Sequence, residues 1–193
     1  MNNPKYVKIG DKKYKINTDF RVAIECNKIA QDDNVGDTER FFAIIYKLFG
    51  EEALNNSEDW EKLMELAIKY LCLGKELENN EMVEQDMDFV QDMDYIETSF
   101  MSDYRIDLAE TKMHWWKFYK LIEGLSNSEI GNCCVLNRIR NLRTFDVSQI
   151  KDQREKQKII KAKEQVALKK EIKMTEEQKK NQEEFFRLLN GGD

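Results

Sequence analysis

The stretch from Asp94 to Leu125 constrains the fold most, because it concentrates large aromatic side chains, two of the three tryptophans and the only histidine. Each buried aromatic side chain removes about 150–250 Å² from water. Apolar residues recur here at spacings of three and four, which predicts two packed helices. The residues expected to organise the core are Tyr95, Phe100, Tyr104, His114, Trp115, Trp116 and Phe118.

The second of these helices is predicted to carry aromatic side chains on several sides. Met113, Trp115 and Phe118 are all placed on it, which is typical of a helix buried on more than one face. The link Arg105–Leu108 is short and favours antiparallel neighbours. We expect His114 to lie within the helix as a packed side chain with one hydrogen bond, and not as a catalytic base.

Composition supports a helical protein with wide polar surfaces. The chain has 193 residues, 35% of them charged, with one proline and 8 glycines, and a mean hydropathy of −0.71. This length is sufficient for a sound hydrophobic core. No apolar run approaches the length of a membrane span, and the N-terminus lacks the hydrophobic centre of a signal peptide. We therefore expect no membrane contact and a cytoplasmic location.

Glycines and helix-capping residues along the chain predict further elements. Alternating apolar residues around Gly10 predict a hairpin ending at Ile16, and Asn17 or Thr18 can cap the helix that follows. Another helix is expected between Gly36 and Gly50.

Two more helices are predicted from caps. Ser57 is expected to cap one of them. The capping box that starts at Ser126 predicts another, which would run through Cys133, Cys134 and Leu136.

These elements predict a mainly α fold, a helical bundle with a small N-terminal β-hairpin and an extended charged C-terminal helical tail. Residues 1–145 would form the core domain, with the hairpin in residues 1–16. Residues 146–193 would form the charged helical tail, starting at Asp146 or Ser148.

The tail contains few large apolar side chains, and these are the predicted partner-binding residues. They could contact a partner or another copy, or the terminal cluster could fold back onto the domain. The residues are Ile159, Ile160, Val166, Leu168, Phe185, Phe186, Leu188 and Leu189.

Charge is distributed unevenly within a net charge of −6. Residues 51–100 contain 15 acidic and 3 basic residues, whereas residues 151–180 contain 11 basic and 6 acidic residues. Opposite fields on one chain suit head-to-tail self-association or docking to a charged partner. The alternative is that both are simply solvated helix faces.

The sequence contains no recognisable catalytic, cofactor or metal motif. With a single histidine and no CxxC pair, the chain has few of the ligands that a zinc site needs. It also lacks a phosphate-binding glycine loop. We predict a protein that is not an enzyme, with no cofactor and no metal. Nucleic-acid binding through Arg138, Arg140, Arg143 and the tail lysines is the main alternative, although the pI of about 5.1 argues against it.

Two runs carry a resemblance to a known family: YIETSFMSDYRIDL from Tyr95 and HWWKFYKLIEGL from His114. Residues 14–21, 88–96 and 138–143 agree with it. Together they resemble the tail-assembly-chaperone-like family of siphophages and prophages of Gram-positive bacteria, the bacteriophage gp-fifteen family. The resemblance spans about residues 6 to 168 and departs at Cys133–Cys134 and after Lys169.

The resemblance implies a non-catalytic role in assembly, in the cytoplasm of the bacterial host. The expected partner is the tape measure protein, with the major tail protein as a further candidate and a homo-oligomer as the expected state. A long tape measure helix exposes apolar stripes, which many copies of a small charged protein can cover reversibly. A structural component retained in the finished tail is the other alternative.

Overall fold

The computed structural model describes residues 3–75, 85–127 and 133–169, and this part of the chain is mainly helical. The predicted fold class, a helical bundle with a small N-terminal hairpin, is confirmed. Its elements are β1 (Tyr6–Ile9), β2 (Lys12–Lys15), α1 (Phe20–Gln31), α2 (Asp37–Phe49), α3 (Glu51–Leu54), α4 (Trp60–Leu71), α5 (Met93–Tyr104), α6 (Trp115–Glu123), α7 (Val135–Thr144) and α8 (Gln153–Val166).

The hairpin pairs β1 with β2 in antiparallel register, with Val7 opposite Tyr14 and Ile9 opposite Lys12. Gly10 adopts a φ of 55° in the turn, a left-handed conformation that costs glycine little. Tyr14 is buried, and its hydroxyl donates a 2.5 Å hydrogen bond to Asp59. The helices therefore hold one face of a hairpin that would be marginal alone.

The N-cap of helix α1 lies one or two residues after the predicted caps. Asp19, and not Asn17 or Thr18, is the N-cap, and its carboxylate accepts from the backbone N–H of Arg21. The backbone of Thr18 is used elsewhere, because its carbonyl accepts from the N–H of Trp115. Helix α2 lies between Gly36 and Gly50 as predicted.

The segment before α4 differs from its prediction. Ser57 does not cap the helix but starts a 3₁₀ turn, Ser57–Asp59, and α3 precedes that turn. The Trp60 indole N–H donates to the carbonyls of Ala53 and Leu54, which fixes α3 against α4. This contact satisfies carbonyls at the end of a short helix that would otherwise lack partners.

The link between α5 and α6 is longer than predicted. It runs from Arg105 to His114, so Met113 is buried ahead of the helix and not on it. The helices do contact each other, since the rings of Phe100 and Phe118 stack at 5.3 Å. Phe118 also stacks on Phe20 of α1 at 4.3 Å, which places α6 at the centre of the core.

Helix α7 begins later than the capping box at Ser126 predicts. Cys134 is its N-cap, so Cys133 and Cys134 both precede the helix, and residues 128–132 lie outside the described residues. The Ser99 hydroxyl of α5, fully buried, accepts from the backbone N–H of Leu136. This bond ties α7 to α5.

Helix α8 also starts later than the predicted Asp146 or Ser148. Asp152 is its N-cap and accepts from two backbone N–H groups, while Asp146 caps a 3₁₀ turn, Val147–Gln149. Helix α8 packs against α7. The acidic stretch 76–84 and everything after Lys169 lie outside the described residues.

Candidate functional site

The two adjacent tryptophans cap the C-terminal end of α4. The indole N–H of Trp115 donates to the Leu71 carbonyl at 3.0 Å, and that of Trp116 donates to the Tyr70 carbonyl at 2.9 Å. Carbonyls in the last turn of a helix have no partner within the helix. The pair therefore joins α6 to α4 through hydrogen bonds as well as through packing.

His114 is the N-cap of α6 and does not lie inside the helix as predicted. Its Nδ1 accepts from the backbone N–H of Trp116 at 3.0 Å, and its Nε2 lies 2.8 Å from the Pro4 carbonyl oxygen. Nδ1 must accept, so the proton is on Nε2 and is donated to Pro4. Both ring nitrogens are engaged within the fold, so neither is left to act as a base.

The other predicted core-organising residues surround these two contacts. Trp115, Phe100 and Phe118 are buried, while Tyr95, Tyr104 and Trp116 are half-buried and pack against the buried cluster. The Tyr104 hydroxyl donates to the Leu121 carbonyl at 2.8 Å. The aromatic stretch is thus interior to the domain, apart from one edge of the half-buried rings.

The predicted partner-binding residues divide into two groups. Phe185, Phe186, Leu188 and Leu189 lie outside the described residues. Ile159, Ile160, Val166 and Leu168 are half-buried on or next to α8, a helix with no buried residue. These four apolar side chains therefore lie at the surface and outside the buried core.

Arg143 holds the end of α8 in place. Its guanidinium forms a bidentate ion pair with Asp92, both contacts at 2.7 Å, and donates to the carbonyls of Asp86 and Val166. Asp92 is 1% exposed. The hydrogen bonds and charge of Asp92 raise the pKa of Arg143, and the guanidinium also complements the negative end of the α8 dipole.

The last described residues continue this attachment. The side-chain amide of Gln91 donates to the Lys169 carbonyl at 3.1 Å and accepts from the Lys169 N–H at 2.8 Å. Lys163 donates to the Phe145 carbonyl at 2.6 Å. Sequence reasoning missed these contacts, because nothing in the sequence indicates that Gln91 and Arg143 would face the tail.

The arginines considered for nucleic-acid binding are mostly occupied. Arg140 pairs with Asp86 at 2.9 Å, and Arg143 pairs with Asp92. Arg138 alone of the three is exposed, and it forms no ion pair with the residues that the structure describes. An arginine paired with a carboxylate must lose that pair before it can bind a phosphate.

A groove of about 990 Å³ lies where the hairpin, α1, α2 and the link before α6 meet. Exposed Tyr46 lines it beside the Lys47–Glu25 ion pair of 2.6 Å. The lining charges are mixed in sign, with Lys15, Lys112 and Glu51 among them. The described residues contain no group of three or more side chains suited to holding a metal ion.

None of the described helices is both long enough and apolar enough to cross a membrane.

Comparison with protein families identifies a match. A family model described as Bacteriophage Gp15 protein matches residues 1–168. No curated protein matches the chain, and no solved structure matches it. The matched region contains the aromatic centre and α8, and it ends one residue before Lys169.

Proposed function

The chain belongs to the bacteriophage Gp15 protein family, and from this premise we propose that it is a non-catalytic phage tail assembly chaperone. In this role it binds the tape measure protein and keeps it soluble during siphophage tail morphogenesis. Family membership supports the broader assignment to phage structure or morphogenesis. No enzymatic activity is known for this family.

The observation that carries the proposal is the half-buried apolar surface on α8. Ile159, Ile160 and Val166 lie on a helix that the Arg143 guanidinium holds against α7. A tape measure helix presents apolar stripes, and a half-buried apolar surface can pair with one without first unfolding. Such a small contact is individually weak, which suits reversible coverage by many copies.

The sequence beyond Lys169 supplies a second candidate for tape measure binding. Phe185, Phe186, Leu188 and Leu189 form a second apolar cluster in the sequence. Two apolar clusters in one chain raise the effective concentration of the second once the first is bound. We assign both clusters to tape measure binding.

The test is co-expression of the full chain with the tape measure protein of the same phage, followed by pull-down and sizing. Phe186→Ser with Leu189→Ser removes the terminal cluster, and Ile159→Ser with Val166→Ser removes part of the α8 surface. Both double variants are expected to recover less tape measure protein. Ile68→Ser is the matched control, because Ile68 belongs to neither cluster and its side chain is 37% exposed on α4.

The outcomes separate the proposal from its alternatives. If both double variants recover as much tape measure protein as the parent chain, the apolar clusters are not part of the binding site. Detection of the protein in purified virions would favour a structural tail component.

Helix α8 carries one observation in favour of nucleic-acid binding. From residue 153 to residue 169 there are six basic and two acidic residues, and Lys158 and Lys161 are exposed. A helix that lies along phosphates would release counterions, so its affinity would fall steeply with salt. A gel shift at low salt that disappears at high salt would support this alternative, and the absence of any shift would remove it.

A further inference from the structure

The hairpin presents an outer face that nothing in the described structure covers. Strand alternation puts Val7, Ile9 and Tyr14 on the inner face, toward the helices. The opposite face, here called the outer hairpin face, consists of Tyr6, Lys8, Lys13 and Lys15. All four of these side chains are exposed.

The helices fix the orientation of this face. The inner residues Tyr14 and Lys12 both bond to Asp59, at 2.5 Å and 2.9 Å. On the outer face the Lys13 ammonium lies 3.9 Å from the centre of the Tyr6 ring. The result is a preformed surface with three positive charges around an aromatic ring that is 47% exposed.

A complementary surface lies on α5. Asp94, Glu97 and Met101 follow spacings of three and four, so they share one side of the helix. All three are exposed, Met101 by 43%. Neither acid forms an ion pair within the described part of the chain. We call these three residues the α5 acidic face.

We propose that the outer hairpin face of one copy docks on the α5 acidic face of another copy. Alternate residues on a strand, such as Lys13 and Lys15, are about 6.6 Å apart. Neighbouring residues on one helix face, such as Asp94 and Glu97, are about 5–6 Å apart. The two charge spacings therefore match, with Tyr6 placed to cover Met101.

The two faces differ, so the contact is head-to-tail and each copy has one of each. Such contacts close into a ring or continue as an open chain. A second copy is a better occupant than nucleic acid, because the chain has a net charge of −6 and would repel a polyanion elsewhere on its surface. This inference does not depend on tape measure binding, since only copies of this chain take part.

Sedimentation velocity of the full chain over a concentration series tests the proposal. Association is expected at about 0.1 M salt and is expected to disappear at about 1 M salt, where the screening length falls to about 3 Å. The charge reversals Lys8→Glu, Lys13→Glu and Lys15→Glu in one variant should give a monomer at low salt. Asp94→Lys with Glu97→Lys should do the same.

Mixing separates a lost contact from a damaged fold. An equimolar mixture of the two variants should associate again, because the reversed faces complement each other. The matched control is Lys28→Glu with Lys62→Glu and Lys69→Glu, which changes three exposed lysines elsewhere and should associate like the parent chain. A parent chain that stays monomeric would overturn the proposal. Charge reversals that leave association intact, or hairpin lysines that bind DNA while self-association is unaffected by their reversal, would also overturn it.

Discussion

Arg143 and Asp92 form a buried, bidentate ion pair across 51 positions of sequence, with both N–O contacts at 2.7 Å. The Arg143 side chain is 10% exposed, and that of Asp92 is 1% exposed. The same guanidinium reaches the last carbonyl of α8, so one side chain connects α7, the start of α5 and the tail. The pair therefore helps to hold the end of α8 against α7 and the start of α5.

Removal of either partner should destabilise the domain strongly. Arg143→Met leaves the buried Asp92 carboxylate without its positive partner. Asp92→Asn leaves the largely buried Arg143 guanidinium without its negative partner. Each change is expected to cost about 3–5 kcal/mol in the free energy of unfolding. Denaturant titration measures the cost, and Arg138→Met on the same helix is the control, with an expected change within about 0.5 kcal/mol. If Arg138→Met and Arg143→Met lower the free energy of unfolding equally, the ion pair with Asp92 is not what makes Arg143 important for stability.

His114 is expected to act through its role as a helix cap. His114→Ala removes the acceptor for the Trp116 N–H and should cost about 1 kcal/mol of stability. His114→Asn supplies another capping oxygen and should recover part of that loss. Thermal unfolding compares the two variants. If the asparagine variant is no more stable than the alanine variant, helix capping does not account for the contribution of His114 to stability.

Gly74 is a position where a side chain would meet Trp116. Its φ of 78° is left-handed, and a Cβ would lie 3.2 Å from the Trp116 ring. Gly74→Ala should lower the free energy of unfolding by more than the about 1–2 kcal/mol that the left-handed backbone alone costs, because the Trp116 ring must also shift to make room for the Cβ. Gly10→Ala is the matched control, since Gly10 also has positive φ but open space around it. Equal losses in denaturant titrations of the two variants would show that the ring yields freely.

Stability should fall at alkaline pH as Tyr14 loses its proton. Burial, reinforced by the hydrogen bond to Asp59, raises the pKa of Tyr14 from 10.0 to about 12. A raised pKa leaves the stabilisation intact below pH 10, and the stabilisation is lost as the pH rises from 10 to about 12. Unfolding free energies across this range should fall less steeply in Tyr14→Phe. An unchanged slope in that variant would mean that other groups carry the dependence.

Local patterns in the sequence were sufficient for much of the fold. Alternation around Gly10 predicted the hairpin, and the bounds of α2 followed from Gly36 and Gly50. These signals depend on residues that are close together in the chain, so they can be recognised in a single sequence. The aromatic density around Trp115 likewise indicated where buried aromatic rings would concentrate.

Caps and long-range pairs could not be predicted in the same way. Helical spacing continues upstream from Trp115, so His114 looked like a helical residue although it is the cap. Asn17, Thr18 and Asp19 are all good capping residues, so residue type alone does not distinguish the predicted caps, Asn17 or Thr18, from the observed cap, Asp19. The Arg143–Asp92 pair and the Gln91–Lys169 contact join distant segments, and charge alone does not indicate which arginine meets which carboxylate.

The solubility of the tape measure protein tests the central claim most directly. The tape measure protein of the same phage is expressed alone, with the parent chain, and with the Phe186→Ser and Leu189→Ser variant, and its soluble fraction is measured after centrifugation. The account predicts that the soluble fraction rises with the parent chain and rises less with the variant. A soluble fraction that is the same with and without the chain would contradict the account.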